Sequence, residues 1–78
     1  MDADRLSTRI LDAIQTLEFQ PERCPQIGLW RGQPLRRLIV RNYSVFYTLV
    51  NNIVFVTHIL YNRSNIPSRL GKDFQKRQ

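Results

Sequence analysis

Apolar residues in the first part of the chain recur at Leu6, Ile10, Ala13, Ile14 and Leu17. Steps of three and four draw one stripe, widened by Leu11, and predict an amphipathic helix over residues 4–19. Asp2 or Asp4 can cap its start, and Pro21 stops it because proline cannot donate a backbone hydrogen bond. The pattern then breaks. Residues 20–34 carry Pro21, Pro25, Pro34, Gly28 and Gly32 and read as an ordered connecting loop, with Leu29 and Trp30 as its apolar anchors. From Leu35 onward β-branched and aromatic residues dominate. Leu35–Arg41 reads as a strand, Asn42-Tyr43 as a tight break, Tyr43–Val50 as a second strand and Ile53–Tyr61 as a third. Asn51-Asn52 is a two-residue hairpin signal, since asparagine tolerates the positive φ such turns require. Ser64 onward holds Pro67, Gly71 and little apolar content. One folded domain over residues 1–70 and a basic, flexible tail over 71–78 are expected.

The resulting fold class is α+β, one N-terminal helix packed on a three-stranded antiparallel meander. Both faces of that sheet are apolar. Val45, Tyr47 and Leu49 alternate with Phe46 and Val50, and Ile53, Phe55 and Ile59 alternate with Val54, Val56 and Leu60. One helix covers one face, so a second helix or a partner must cover the other.

Charge sharpens the picture. Twelve Lys and Arg against six Asp and Glu give a net charge of +6, and after Glu22 the only acid is Asp73. Such asymmetry favours an acidic partner: RNA, DNA or an acidic peptide. The chain of 78 residues has a marginal core, and its single cysteine, Cys24, cannot form an internal disulfide. One Cys and one His make no zinc set, so neither metal nor cofactor is expected, and a second copy or another chain remains as support. No apolar run reaches a membrane span or the core of a signal peptide, which points to the cytosol.

Arginines are the candidate contact residues. Arg63 ends the last strand, where its planar fork suits phosphate or an acidic surface. Arg36 and Arg37 alternate across their strand, so only one faces a given ligand, while the other is expected to pair with Glu18 or Glu22. His58 titrates near neutrality, but its neighbours Val54, Val56 and Leu60 read as an apolar face and a packed role. Tyr47 reads as core. Tyr61 is open to either a stacking or a packing role.

The order of these parts resembles the RelE/ParE toxins of bacterial toxin–antitoxin pairs over roughly residues 3 to 70. The helix followed by Phe19-Gln20-Pro21-Glu22-Arg23 resembles the family's second helix and its proline stop. Leu35-Arg36-Arg37-Leu38-Ile39-Val40 resembles the Leu-Arg-Arg strand of the ParE branch. Tyr43-Ser44-Val45-Phe46-Tyr47 is similar to the central strand, and Ile59-Leu60-Tyr61-Asn62-Arg63 to the last strand and its arginine. Against that pattern the family's first strand and a long helix, which would precede Met1, are expected to be lacking, exposing a sheet edge and favouring a homodimer or a tightly bound partner.

The resemblance implies a toxin silenced by an antitoxin peptide. RelE-type members cut messenger RNA on the ribosome with basic and acid–base side chains on the concave sheet face. Here Ser44 stands where that set has a central-strand arginine, and the C-terminal tyrosine base has no counterpart near Arg69-Leu70. The ParE branch, whose members bind DNA gyrase, lacks that set too, so the resemblance places the chain there, with no catalytic residues. Arg37, Arg63, Tyr61, Arg36 and Arg69 are the target-contact residues it implies; a RelE-like endoribonuclease and an inactive remnant are the alternatives.

Overall fold

A computed structural model describes residues 3–76, with the side chains of residues 3 and 4 outside the description. The element order is α1 (Ala3–Gln15), a 3-10 turn (Thr16–Glu18), β1 (Gln26–Trp30), β2 (Gln33–Val40), β3 (Tyr43–Val50), β4 (Ile53–Tyr61), α2 (Ile66–Leu70) and β5 (Phe74–Lys76). The strands form one antiparallel sheet in the order β4-β3-β2-β1-β5. The caps assigned to Asp2 and Asp4 lie outside what is described.

The three-stranded meander with a single helix is therefore corrected to five strands and two helices. The three expected strands are present as β2, β3 and β4. Two more flank them. β1 lies inside the stretch read as a loop, where its signal is weak for physical reasons. Gly28 is buried but offers no side chain to the pattern, and the register slips between Gln26 and Gly28, so the alternation is broken twice. The Arg31-Gly32 turn closes the β1–β2 hairpin with φ of 53° and 79°, the left-handed geometry of a tight hairpin. β5 pairs with β1 through Gly28, Leu29 and Trp30, within the segment read as tail. α2 begins at Ile66-Pro67, with proline in the first turn where its missing N–H is tolerated, and Leu70 is buried at its end.

The helix face of the sheet centres on Tyr47, packed with Leu17, Cys24, Leu38, Leu49 and Val54. Tyr47 Oη donates to the carbonyl of Pro21 at 2.7 Å, and Arg36 Nη1 donates to the carbonyls of Glu22 and Cys24 at 3.1 and 2.6 Å. The post-helix loop is thus sewn to the sheet by its backbone oxygens. Arg36 pairs with no carboxylate among the described residues, contrary to the partner expected from Glu18 or Glu22.

The opposite face holds a second core. Leu35, Phe46 and Leu70 are joined there by Ile27, Trp30, Leu60, Ile66 and Phe74. The Trp30 and His58 rings meet edge to face with centroids 5.6 Å apart, although β1 and β4 are separated by two strands. The sheet therefore coils toward this face, which is concave, and α2 closes over it. β4 also departs from strict alternation. Phe46 pairs with His58 and Tyr47 with Val56, so Thr57 is a bulge. Beyond it the faces exchange. His58 and Leu60 share the concave face with Phe46, and Ile59 and Tyr61 join Val54 and Val56 on the helix side. The period-two reading had placed His58 with Val54 and Val56.

Candidate nucleic-acid or acidic-partner interface

Arg37 stands on the concave face opposite Phe46. Its Nε donates to Ser44 Oγ at 2.7 Å, and its Nη2 lies 3.4 Å from Asn62 Oδ1. The fully buried Ser44 hydroxyl in turn donates a hydrogen bond to Asn62 Oδ1, so one serine joins both residues. Asn62 is fixed in turn, since its backbone N–H donates to the Asn42 carbonyl at 2.8 Å and its Nδ2 to the Arg41 carbonyl at 3.2 Å. The chain end of β4 and the β2–β3 turn are locked together at this point.

The electrostatics of the cluster are unusual. Arg37 is half-buried, and its acceptors among the described residues are a hydroxyl and an amide oxygen, both neutral. No carboxylate among the described residues compensates it. A guanidinium has five N–H donors in a plane. The two bonds above orient that plane and leave the Nη1 edge available. Its carbon also lies 5.7 Å from the Phe46 ring centroid, which restricts it further. A preorganised, uncompensated arginine is suited to hold an anionic group arriving from outside.

The other sequence-indicated residues distribute around this cluster unequally. Arg63 follows Asn62 in the exposed turn after β4 and makes no hydrogen bond among the described residues. Arg69 is exposed in the last turn of α2, the helix that covers the concave face. Arg36 and Tyr61 lie on the helix side. Tyr61 packs edge-on against Tyr43 with ring centroids 5.4 Å apart. Arg37 and Tyr61 therefore occupy opposite faces. Ser44 and Asn62, which hold Arg37, carry no chemical signal of their own in the sequence. Only strand parity, which puts residues 37 and 44 on one face, points to them.

His58 lies in the same cross-strand row as Arg37, but Phe46 stands between them. Two strand spacings separate their backbones by about 10 Å. Burial beside Trp30 lowers the His58 pKa and favours the neutral ring, and Nδ1 lies 2.9 Å from Thr57 Oγ1. Trp30 Nε1 is buried with no partner among the described residues, while the Arg31 guanidinium lies 4.5 Å over the indole and pairs with Asp73 at 3.1 Å. Among the described residues no cluster of His, Cys, Asp and Glu could hold a metal.

The family model for the ParE toxin of the type II toxin–antitoxin system, parDE, matches residues 2–66. The chain belongs to the ParE toxin family. The match spans α1 through the first residue of α2, so in this ParE family member the Arg37–Ser44–Asn62 cluster lies inside the matched region, whereas Arg69 and β5 lie beyond it. No curated protein and no solved structure matches the chain.

Proposed function

We propose that this chain is the toxin of a type II toxin–antitoxin pair, that it arrests growth by binding DNA gyrase or a similar nucleic-acid enzyme, and that a cognate antitoxin peptide silences it. One observation carries the reading. Arg37 is held rigid by neutral groups, with no carboxylate partner among the described residues, between the turns that bear Arg41 and Arg63. The arrangement offers a fixed positive fork to an acidic surface. It offers no acid–base pair beside that fork, because Phe46 separates Arg37 from His58 and Tyr61 lies on the other face. Ribonucleolytic cleavage needs a proton acceptor within hydrogen-bond reach of the attacking hydroxyl. The ribosome-dependent ribonuclease is the second reading for that reason.

Induced expression in a bacterium, scored for growth, DNA breaks and message integrity, tests the proposal. Arrest with DNA damage and intact messages supports it, and arrest with cleaved messages restores the ribonuclease. Arg37→Gln should relieve arrest in a protein that still folds. Arg37→Lys should rescue only part of it, because an ammonium cannot reproduce the planar fork.

A further inference from the structure

β2 runs on past the strand beside it. Its pairing with β1 ends at Gln26 and Arg36, and one further bond, from the Arg37 N–H to the Pro25 carbonyl at 3.3 Å, closes that ladder. On the other side of Pro25 the chain bends away into the post-helix loop, where the Arg23 N–H donates to the Gln20 carbonyl. Leu38, Ile39 and Val40 therefore pair with β3 on one side and with no strand on the other among the described residues. Backbone groups alternate in direction along a strand. Arg37 points its own toward β1, so Ile39 does the same, and neither its N–H nor its C=O has a partner among the described residues. The result is a notch in the sheet roughly 10 Å long, three residues at about 3.3 Å each. Pro25 bounds one end of it and the Arg41-Asn42 turn the other. The Ile39 side chain, on the concave face with Arg37, is 61% exposed.

We infer that this notch takes an extended acidic segment of a partner protein, added as a short strand against Ile39, and that the segment belongs to the silencing peptide, a source that rests on the function proposed above. Strand geometry sets its side-chain pattern. The residue facing Ile39 exchanges both backbone bonds with it and lays its side chain on the exposed isoleucine, so that residue is apolar. The residues on either side of it point to the helix side. Arg23 stands there, donating to Thr16 Oγ1, and Arg9 lies two turns before Thr16 on the same side of α1. Acidic side chains suit those two positions. Arg37 and Arg41 flank the notch along β2. Glu22, in the post-helix loop, is the one acid in that loop. Asp12 falls on the side of α1 opposite the buried Ile10, position 4 on the Leu11 side, Glu18 lies beside Asn52 at the start of β4, and Asp73 pairs with Arg31. Charge thus selects against a second copy, whose own Arg37 and Arg41 would meet these. A nucleic-acid backbone could cover the arginines, but it has no N–H to offer the Ile39 carbonyl. An extended peptide supplies both the donor and the acceptor.

A capped synthetic peptide of alternating glutamate and valine, titrated into the isotope-labelled full chain and followed by NMR, tests this. Saturable shifts centred on the Ile39 amide, with slowed exchange of that amide, are expected below about 1 mM, the weak range of a short edge with few anchors. The same peptide N-methylated at each valine, or carrying lysine for glutamate, should bind about tenfold more weakly or worse. Ile39→Pro removes the outward N–H without breaking a bond inside the sheet, so it should keep its circular dichroism and lose the peptide. Absence of saturable binding, shifts centred elsewhere, equal binding of the N-methylated peptide, or tighter binding of a single-stranded oligonucleotide at the same amide overturns the inference. Should Ile39→Pro fail to fold, the N-methylated peptide on the parent chain decides. The growth assay separates this claim from the toxin reading. Peptide binding by a chain that arrests nothing refutes the toxin and leaves the notch, and arrest by a chain that ignores the peptide does the reverse.

Discussion

At the residue scale the structure assigns different work to two adjacent arginines. Arg36 is a structural clamp on backbone carbonyls, and Arg37 is presented to the concave face by Ser44 and Asn62. Ser44→Ala should cost about 1–3 kcal/mol, because it strands the two groups it joins. It should also weaken toxicity while leaving a folded protein, as read by urea denaturation beside the growth assay. Tyr47 presents a neutral hydroxyl to Pro21, with its pKa raised chiefly by burial and then by the neighbouring Cys24 thiol. Tyr47→Phe keeps the ring and loses only that bond, for an expected loss of about 0.5–1.5 kcal/mol. His58 sets a pH dependence of definite sign. Its folded pKa is lowered by desolvation, so its contribution is complete above the unfolded value of about 6.5 and is lost as pH falls through that value toward the folded one. The urea midpoint should therefore fall between pH 7.5 and 5, and His58→Phe should reduce the drop; a larger drop in the variant would contradict the assignment. The parity of Arg36 and Arg37 was legible from the sequence, since alternation in a strand follows from its geometry. Their partners were not. Backbone carbonyls have no sequence signature, and Ser44 and Asn62 acquire their meaning only when β2, β3 and the end of β4 are brought together.

At the element scale, legibility followed the density of side-chain signal. The stripe on α1, the stop before Pro21 and the Asn51-Asn52 turn, with φ of 53° and 64°, all appear where the pattern placed them. β1 and β5 escaped because their evidence is mostly backbone pairing. β5 has one half-buried apolar residue, Phe74, in three. The bulge at Thr57 misdirected His58, because a period of two cannot register an inserted residue. α2 is the element most open to test. Five residues cannot sustain a helix alone, so its packing through Leu70 onto Leu35 and Phe46 must hold it. Leu70→Ala should destabilise the protein by about 2–5 kcal/mol and expose the concave face, seen as a changed Trp30 fluorescence. A loss below 1 kcal/mol would mean that α2 is not what closes that face.

For the whole molecule, the thin dimension of 16 Å means that no residue lies far from water, and that two small cores, one per face, share the central strand. Ser44 to Thr48 on β3 are all buried, which makes β3 the strand common to both. Amide exchange should be slowest there and fastest at β5, which pairs with β1 alone. The net charge of +6 hides an asymmetry, since ten Lys and Arg stand against one acid after Glu22, while Arg5 and Arg9 stand against five acids up to it.

The charge-free β3–β4 hairpin has a consequence for how the chain is made and lost. Residues 43–61 contain no Asp, Glu, Lys or Arg and no proline, and are rich in valine, isoleucine and aromatics. Unfolded, this is the composition from which cross-β fibrils grow. Arg41 and Arg63 stand just outside its two ends, where like charges oppose the stacking of one hairpin on the next. The arginines of the two turns beside Arg37 in the native fold thus also act before there is a fold. Replacing both with glutamine should lower refolding yield, more steeply as protein concentration rises. A cell that releases this chain from its partner must fold it, hold it or degrade it quickly.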